Sequence, residues 1–585
     1  MKIKRVISFV LALVMMFSIT ASAQSSGYVA DYDTETPVII VHGMSQNNTY
    51  LLDENGEWIP DETGYVTAWP LEIDVMPLLE RALPNMIASI ATRRDMGLTE
   101  AMYEGTYNAL SLIEKDNDGN YINDVEVPCY EMPMSELPED VKQEYYTFLP
   151  IQELSEIIGE DDVYYFGYDS LGDVMHETEK LHHYIHDVVL PNSPNGQVKL
   201  CPISLGGTIA INYLETYPED YELIRKMVFV IPAIGGSDII GDLLTGNLSV
   251  FYDDNTLYEE LLVTLLGETP LAYLLNMVLR ILPDDVLKSA LGGLANGLVD
   301  IAALRSTMIW ALCPDAYYEE AKAMWLDGNE ELAGIAADVE YFMNARADFE
   351  ENLFALRDTG CEIFNLACYD MNLFPLCKEY KTKNADRVIH ADSPAMGATF
   401  ANLGETLGEG YEAVGTYCDD PTHNHLSPDG VVDATTGLLP CTTWYFKAQA
   451  HEQLPENDVA LGLAIRAMTD DNMKDVYSNP AYPQFNEGRL THNSRNNIKA
   501  WEEADKSGIS ADKIAAVETA VAKIEALLNE TIVDQAAWNA ADAELEQALV
   551  DAGVIEDESP SEVENIFTSI LRTINRTVNK VYAMF

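Results

Sequence analysis

Short β-branched apolar runs alternate along this chain with amphipathic stretches of helical period, and that order predicts an α/β fold. Runs at residues 37–41, 162–169, 198–203, 226–232, 361–367 and 442–447 read as buried strands. Residues 177–189, 208–214 and 457–465 carry the helical pattern that follows or links them. Strands alternating with helices predict a doubly wound, mostly parallel sheet covered on both faces. Residues 53–57 and 116–120 combine Asp, Asn and Gly as hairpin turns do, so a decorated hairpin insertion is expected after the first core strand. The second of these lacks the ligand spacing of an EF-hand.

From about 235 to 357 the pattern becomes helical and leucine-rich, between the strand that ends at Pro232 and the one that starts at Cys361. This predicts a helical cap inserted into the α/β domain, whose leucines either pack its own core or line an apolar pocket. After residue 483 the strand pattern stops. Ile514, Val517, Val521, Ile524 and Leu528 form one apolar stripe, and Trp538, Ala541, Leu545 and Leu549 form a second. An all-helical module is expected over 484–555. Ser561 and Glu564 have capping-box spacing, and an amphipathic tail helix with Arg572, Arg576 and Lys580 is expected within 556–585. Such a basic end is suited to weak membrane or cell-surface contact, or to docking on the acidic body of the protein.

Charge and composition narrow the picture. Among the 585 residues the formal net charge is −62, which disfavours nucleic acid and anionic membranes as partners and favours a soluble monomer. Lys2, Lys4 and Arg5, an apolar run over 6–19 and Ala21-Ser22-Ala23 have the form of an export signal, with cleavage expected after Ala23 and residues 24–483 forming the α/β domain. A secreted, extracellular or cell-surface protein is expected. The later apolar run at 270–282 is short and holds Arg280, so no spanning helix is expected. Eight cysteines are few for a disulfide scaffold, and Cys201, Cys361 and Cys368 sit in strand-like runs as core residues do. There is no CxxC pair, so neither a metal site nor a cofactor is expected. His423 and His425 read as part of an exposed polar loop, and His182, His183 and His186 as a solvated helix face.

The strongest candidate chemistry lies at 198–207. An apolar run ends in Pro202-Ile203-Ser204-Leu205-Gly206-Gly207, and a helical pattern begins at Thr208. A sharp strand-to-helix turn at a serine lifts its hydroxyl out of the core and sets the positive end of the helix dipole beside it. Upstream, a second apolar run ends in His42-Gly43-Met44. Together, in this order, the two segments resemble the α/β-hydrolase superfamily, and within it the secreted bacterial lipases and the lecithin:cholesterol acyltransferase-like group. The chain departs from the usual Gly-x-Ser-x-Gly in having Pro202 at the first position.

The resemblance covers about residues 35–470 and implies a serine hydrolase acting on carboxylic esters, with lipid-like or acylated small molecules as substrates. It implies Ser204 as nucleophile and the backbone N–H groups of Met44 and Leu205 as the oxyanion hole. Its order of Ser, then acid, then His leaves His390, His423, His425, His451 and His492 as candidate bases. His451 lies between the run at 442–447 and the helix at 457–465, which is where this fold presents its base. For the acid, Asp429 in Pro428-Asp429-Gly430-Val431 is the favoured position; Asp370, after an apolar strand, and Asp433 are the alternatives. An acyltransferase or peptidase using the same residues, and a non-catalytic surface binding protein on a hydrolase scaffold, remain as competing expectations.

Overall fold

The computed structural model describes residues 28–555, apart from 62–63, 71–74, 150, 254, 268, 481, 488–491, 505 and 529–534. The expected export signal and the expected tail helix lie outside the described residues. Seven strands form the central sheet: β1 (Val38–Val41), β2 (Val163–Phe166), β3 (Val198–Pro202), β4 (Ile224–Val230), β5 (Glu362–Tyr369), β6 (Thr443–Lys447) and β7 (Phe485–Glu487). Their spatial order is β7-β6-β5-β4-β3-β1-β2, and every neighbouring pair is parallel. The molecule is therefore an α/β protein on a parallel sheet, as the alternating pattern predicts.

The strands read as continuous apolar runs because both faces of the sheet are covered. Side chains alternate between two cores. Ile39, Val41, Tyr164, Phe166, Leu200, Met227 and Phe229 face one, and Val38, Ile40, Val163, Tyr165, Cys201, Val228 and Val230 face the other. Helices Val174–His183 and Gly206–Thr216 contribute buried side chains to the first core. The second core takes side chains from helices Gln152–Ile158 and Asp458–Thr469.

A small three-stranded antiparallel sheet, Thr49–Leu51, Thr67–Trp69 and Val125–Glu126, interrupts the chain between β1 and β2, where a hairpin insertion is expected. The stretch between β4 and β5 is helical. Its helix Asp284–Leu298 lies against helix Leu98–Ala109 closely enough that a Cβ on Gly293 would come within 2.3 Å of the Thr99 carbonyl oxygen. Asp284–Ala303 is long and apolar enough to cross a membrane by length and composition alone, a span the sequence reading did not single out. Half of its most apolar stretch is buried within the fold.

Two boundaries differ from expectation. The run at 442–447 is not the last strand, because β7 pairs with β6 after helix Asp458–Thr469. With three residues, β7 is too short to show a period, and it carries the main sheet past the expected boundary at 483. Beyond it, helices His492–Glu503, Ala511–Leu528 and Gln535–Ala552 enclose a core of their own, with Trp501, Val517, Ile524, Leu545 and Leu549 buried.

Candidate active site

Because the strands are parallel, the segments that leave β1, β3, β5 and β6 all emerge at one edge of the sheet, the edge where α/β folds gather ligands. Ser204 lies two residues beyond β3, at the start of helix α1 (Gly206–Thr216). Its φ of 50° is left-handed, a conformation that costs a non-glycine residue on the order of 1–3 kcal/mol. Surrounding hydrogen bonds hold it there. The Ser204 N–H donates to Val230 O at 3.0 Å, and the Ser204 carbonyl accepts from the N–H groups of Gly207 and Ala233, each at 2.9 Å. Pro202 lacks a ladder donor, but Ile203 N–H donates to Val41 O at 2.9 Å, so the turn stays tied to strands on both sides. Gly206 is required by close approach, since a Cβ there would sit 2.3 Å from Val41 O.

The Ser204 Oγ lies 2.8 Å from His451 Nε2, and His451 Nδ1 lies 2.7 Å from Asp386 Oδ2. His451 follows β6 by four residues and is nearly buried. Asp386, on the excursion after β5, has no exposed surface. Its other oxygen, Oδ1, accepts the N–H groups of Val388 at 3.0 Å and Ile389 at 2.7 Å, and its carbonyl accepts the His451 N–H at 2.8 Å. One carboxylate oxygen is thus anchored by the loop while the other fixes the imidazole, leaving Nε2 to face the hydroxyl. That arrangement suits a base that takes a proton from serine.

Asp386 takes the place expected for Asp429, which is a correction to the sequence reading. The Asp429 carboxylate is occupied by Ser427 Oγ at 2.5 Å, Lys447 Nζ at 3.0 Å and Tyr369 Oη at 3.1 Å. Partial burial acts to raise its pKa, and the Ser427 and Lys447 contacts outweigh this and hold it below the ordinary carboxylate value. Neither alternative reaches His451. Asp370 lies 3.7 Å from Lys447 Nζ, and buried Asp433 accepts from Thr435 and Tyr411. No motif marks Asp386; its only legible signal is its position between the strand at 361–367 and His451.

Met44 lies three residues beyond β1 and, with Ser204 and His451, lines a cavity of about 420 Å³. Gln46 Oε1 accepts the Gly43 N–H at 2.6 Å, which leaves Met44 as the next donor along this loop. Leu205 caps the N-terminus of α1. Most of the remaining lining is apolar, including Ile40, Leu154, Val230, Leu461 and Ile465, with Ser45, Gln46 and Glu452 as polar members. Its volume lies within the range of about 300–1,000 Å³ typical of small-molecule pockets. The expected cap at 235–357 contributes no lining residue. The apolar lining comes instead from the helices at 152–158 and 458–469, and leucines of the cap, among them Leu243, Leu244, Leu282 and Leu287, are buried in the first core with one face of the sheet.

His42 is buried beneath this loop. Its ring stacks on Tyr168 at 4.0 Å, its Nδ1 donates to Gly43 O at 2.6 Å, and its Nε2 accepts from Tyr168 N–H at 3.3 Å. Burial pushes its pKa down to about 4, so the ring stays neutral in the folded protein at neutral pH. The unfolded chain protonates it near pH 6.5, so it binds more protons than the folded chain between about pH 6.5 and 4. Stability from His42 is therefore present above that window and is lost as pH falls through it, by roughly 3 kcal/mol at most. Denaturant unfolding at pH 7 and pH 4.5 is expected to show a smaller acid loss in His42→Gln than in the unsubstituted protein. Equal losses would contradict a neutral buried ring.

Two other groups of side chains could hold a metal ion among the described residues. His182 and His186 both contact Asp220, each at 2.9 Å, and His182 stacks on Tyr217. They are partly buried, not the solvated face expected, and only His183 is mostly exposed. The second group gathers Cys418, His423, His425 and Cys441, against the expectation drawn from the missing CxxC pair.

Sheet and site together define the class: an α/β protein on a parallel sheet, with a serine, a histidine and an aspartate hydrogen-bonded in series at the C-terminal edge of the strands. No protein-family model matches the chain, and no curated protein matches it. Among solved structures it is similar to a chain of the Tle4–Tli4 complex, at 13% identity and a TM-score of 0.28, over 57% of this chain and 75% of that one.

Proposed function

We propose that this chain is a serine hydrolase of carboxylic esters, with Ser204 as nucleophile, His451 as general base and acid, and Asp386 as the orienting carboxylate. The observation that carries the reading is the unbroken series from Ser204 Oγ through the imidazole to Asp386 Oδ2. The strained serine turn and the strand order support an α/β-hydrolase scaffold.

In this mechanism Ser204 Oγ bonds to the ester carbonyl carbon as His451 Nε2 takes its proton. The carbonyl electron pair moves onto oxygen, where the N–H groups of Met44 and Leu205 and the positive end of α1 stabilise it. The pair returns, the C–O bond to the alcohol breaks, and His451 gives the leaving oxygen its proton. Water then attacks the acyl-enzyme, passing its proton to His451, and the acid departs as Ser204 regains a hydrogen. Asp386 keeps the imidazole in one tautomer and stabilises its charged form without taking the proton. The export signal expected at residues 1–23 makes this a secreted or cell-surface enzyme.

The apolar cavity beside Ser204 favours an acyl chain over a peptide segment. With nitrophenyl esters of increasing acyl length, kcat/KM is expected to rise roughly fourfold per added CH2 until the cavity is filled. The matching anilides are expected to react far more slowly. A flat length profile, or anilides cleaved at ester rates, would turn the reading towards a peptidase.

A further inference from the structure

We propose that Cys418, His423, His425 and Cys441 bind one zinc ion tetrahedrally, as a structural clip at the edge of the sheet opposite the candidate active site. All four ligand atoms lie within 4.8 Å of one another. The two sulfurs are 3.8 Å apart; Cys418 Sγ lies 3.4 Å from His423 Nδ1; and Cys441 Sγ lies 3.8 Å from His423 Nδ1 and 3.6 Å from His425 Nε2. Zinc bonds of about 2.3 Å to sulfur and about 2.0–2.1 Å to nitrogen, at tetrahedral angles, require edges of about 3.8 Å between sulfurs and about 3.5 Å between sulfur and nitrogen. The observed edges match this polyhedron. A disulfide brings its sulfurs to about 2.05 Å, and both cysteines are free thiols in the structure.

The surroundings prepare the ligands. Gln484 Nε2 donates to Pro440 O at 2.8 Å and to Thr443 O at 3.0 Å, which turns Gln484 Oε1 towards His425 Nδ1, 2.8 Å away. An acceptor at that position requires the proton on Nδ1, so the lone pair of Nε2 points at the sulfurs. Such an outer contact is what orients a zinc-bound histidine. The His423 ring lies 4.7 Å from the Tyr477 ring, and Tyr477 Oη accepts the Asn424 N–H, so the short loop between the two histidines is also held. Two thiolates with two imidazoles form a donor set that selects zinc over hard cations.

Placement sets the role. Cys441 and Gln484 lie just before β6 and β7, at the N-terminal end of those strands, whereas His451 lies beyond the C-terminal end of β6. The five residues of β6 separate the two ends by roughly 16 Å. Zinc here would not reach the reacting ester. It would tie the irregular stretch between Phe400 and Val432 to the start of β6 and stabilise the fold by closing that loop. The ligands are spread over 24 positions without a CxxC pair, which is why spacing alone did not mark them.

The test is metal analysis of the full-length protein purified without chelator, together with cobalt(II) exchange. About one zinc per chain is expected, and the cobalt form is expected to show the visible bands and thiolate charge transfer of a tetrahedral site. Both are expected to vanish in Cys418→Ser/Cys441→Ser, with a lowered Tm. Peptide mapping under non-reducing conditions reads the competing state. A Cys418–Cys441 disulfide in the purified protein, or thiols that are free while metal is absent and cobalt gives no thiolate bands, would overturn the proposal. If the double variant does not fold, the cobalt spectrum of the unsubstituted protein still decides.

Discussion

Ser204→Ala is expected to lower ester hydrolysis by on the order of 10⁴-fold or more while leaving the fold intact. The loss is large because, among the described residues, Ser204 is the one whose hydroxyl is hydrogen-bonded to His451 Nε2, at 2.8 Å. The fold survives because the backbone bonds to Val230, Gly207 and Ala233 hold the turn, and none of them uses the side chain. Alanine tolerates the left-handed φ of 50° about as well as serine, so Tm is expected to change little. Steady-state kinetics with a nitrophenyl ester, beside a thermal melt, reads both effects. Activity retained in a folded Ser204→Ala protein would remove this serine from the chemistry.

Asp386→Asn is expected to lower kcat by about 10⁴-fold, and Asp429→Asn by no more than severalfold. Asparagine at 386 can still accept the N–H groups of Val388 and Ile389 through its carbonyl oxygen. Its NH₂ then faces His451 Nδ1 and favours the tautomer with the proton on Nε2, which cannot take one from Ser204. Asparagine at 429 weakens an ion pair with Lys447 and contacts with Ser427 and Tyr369 that lie outside the series. Kinetics on the two variants side by side separates the acid read from the Asp-Gly-x-Val pattern from the acid read from geometry. A larger loss at 429 than at 386 would restore the sequence expectation.

The contrast between these two aspartates shows where sequence reasoning stops. The strands of the central sheet are legible because parallel strands bury both faces and so read as unbroken apolar runs. Ser204 and the loop at 42–44 are legible because sharp turns and close backbone approaches demand small residues, as Gly206 does against Val41. His451 is legible from its place between a strand and a helix. Asp386 is not, because what selects it is a loop that folds back from β5, offers two N–H groups to one oxygen and turns the other to the imidazole. Nothing in Ala385-Asp386-Arg387 encodes that path locally.

The same limit applies to the cavity and to the cysteine–histidine group. Leucine stripes in the cap and apolar faces at 152–158 and 458–469 look alike along the chain, and only tertiary packing assigns the cavity to the latter. Cys418 and Cys441 meet because the irregular stretch after Phe400 returns to the start of β6, a long-range closure with no period of its own.

Labelling the folded protein with a fluorophosphonate and mapping the adduct by peptide mass spectrometry tests the central claim most directly. The account predicts one adduct, on Ser204, with labelling abolished in Ser204→Ala and strongly slowed in Asp386→Asn. An adduct on a different serine, or no adduct on folded protein, would contradict it.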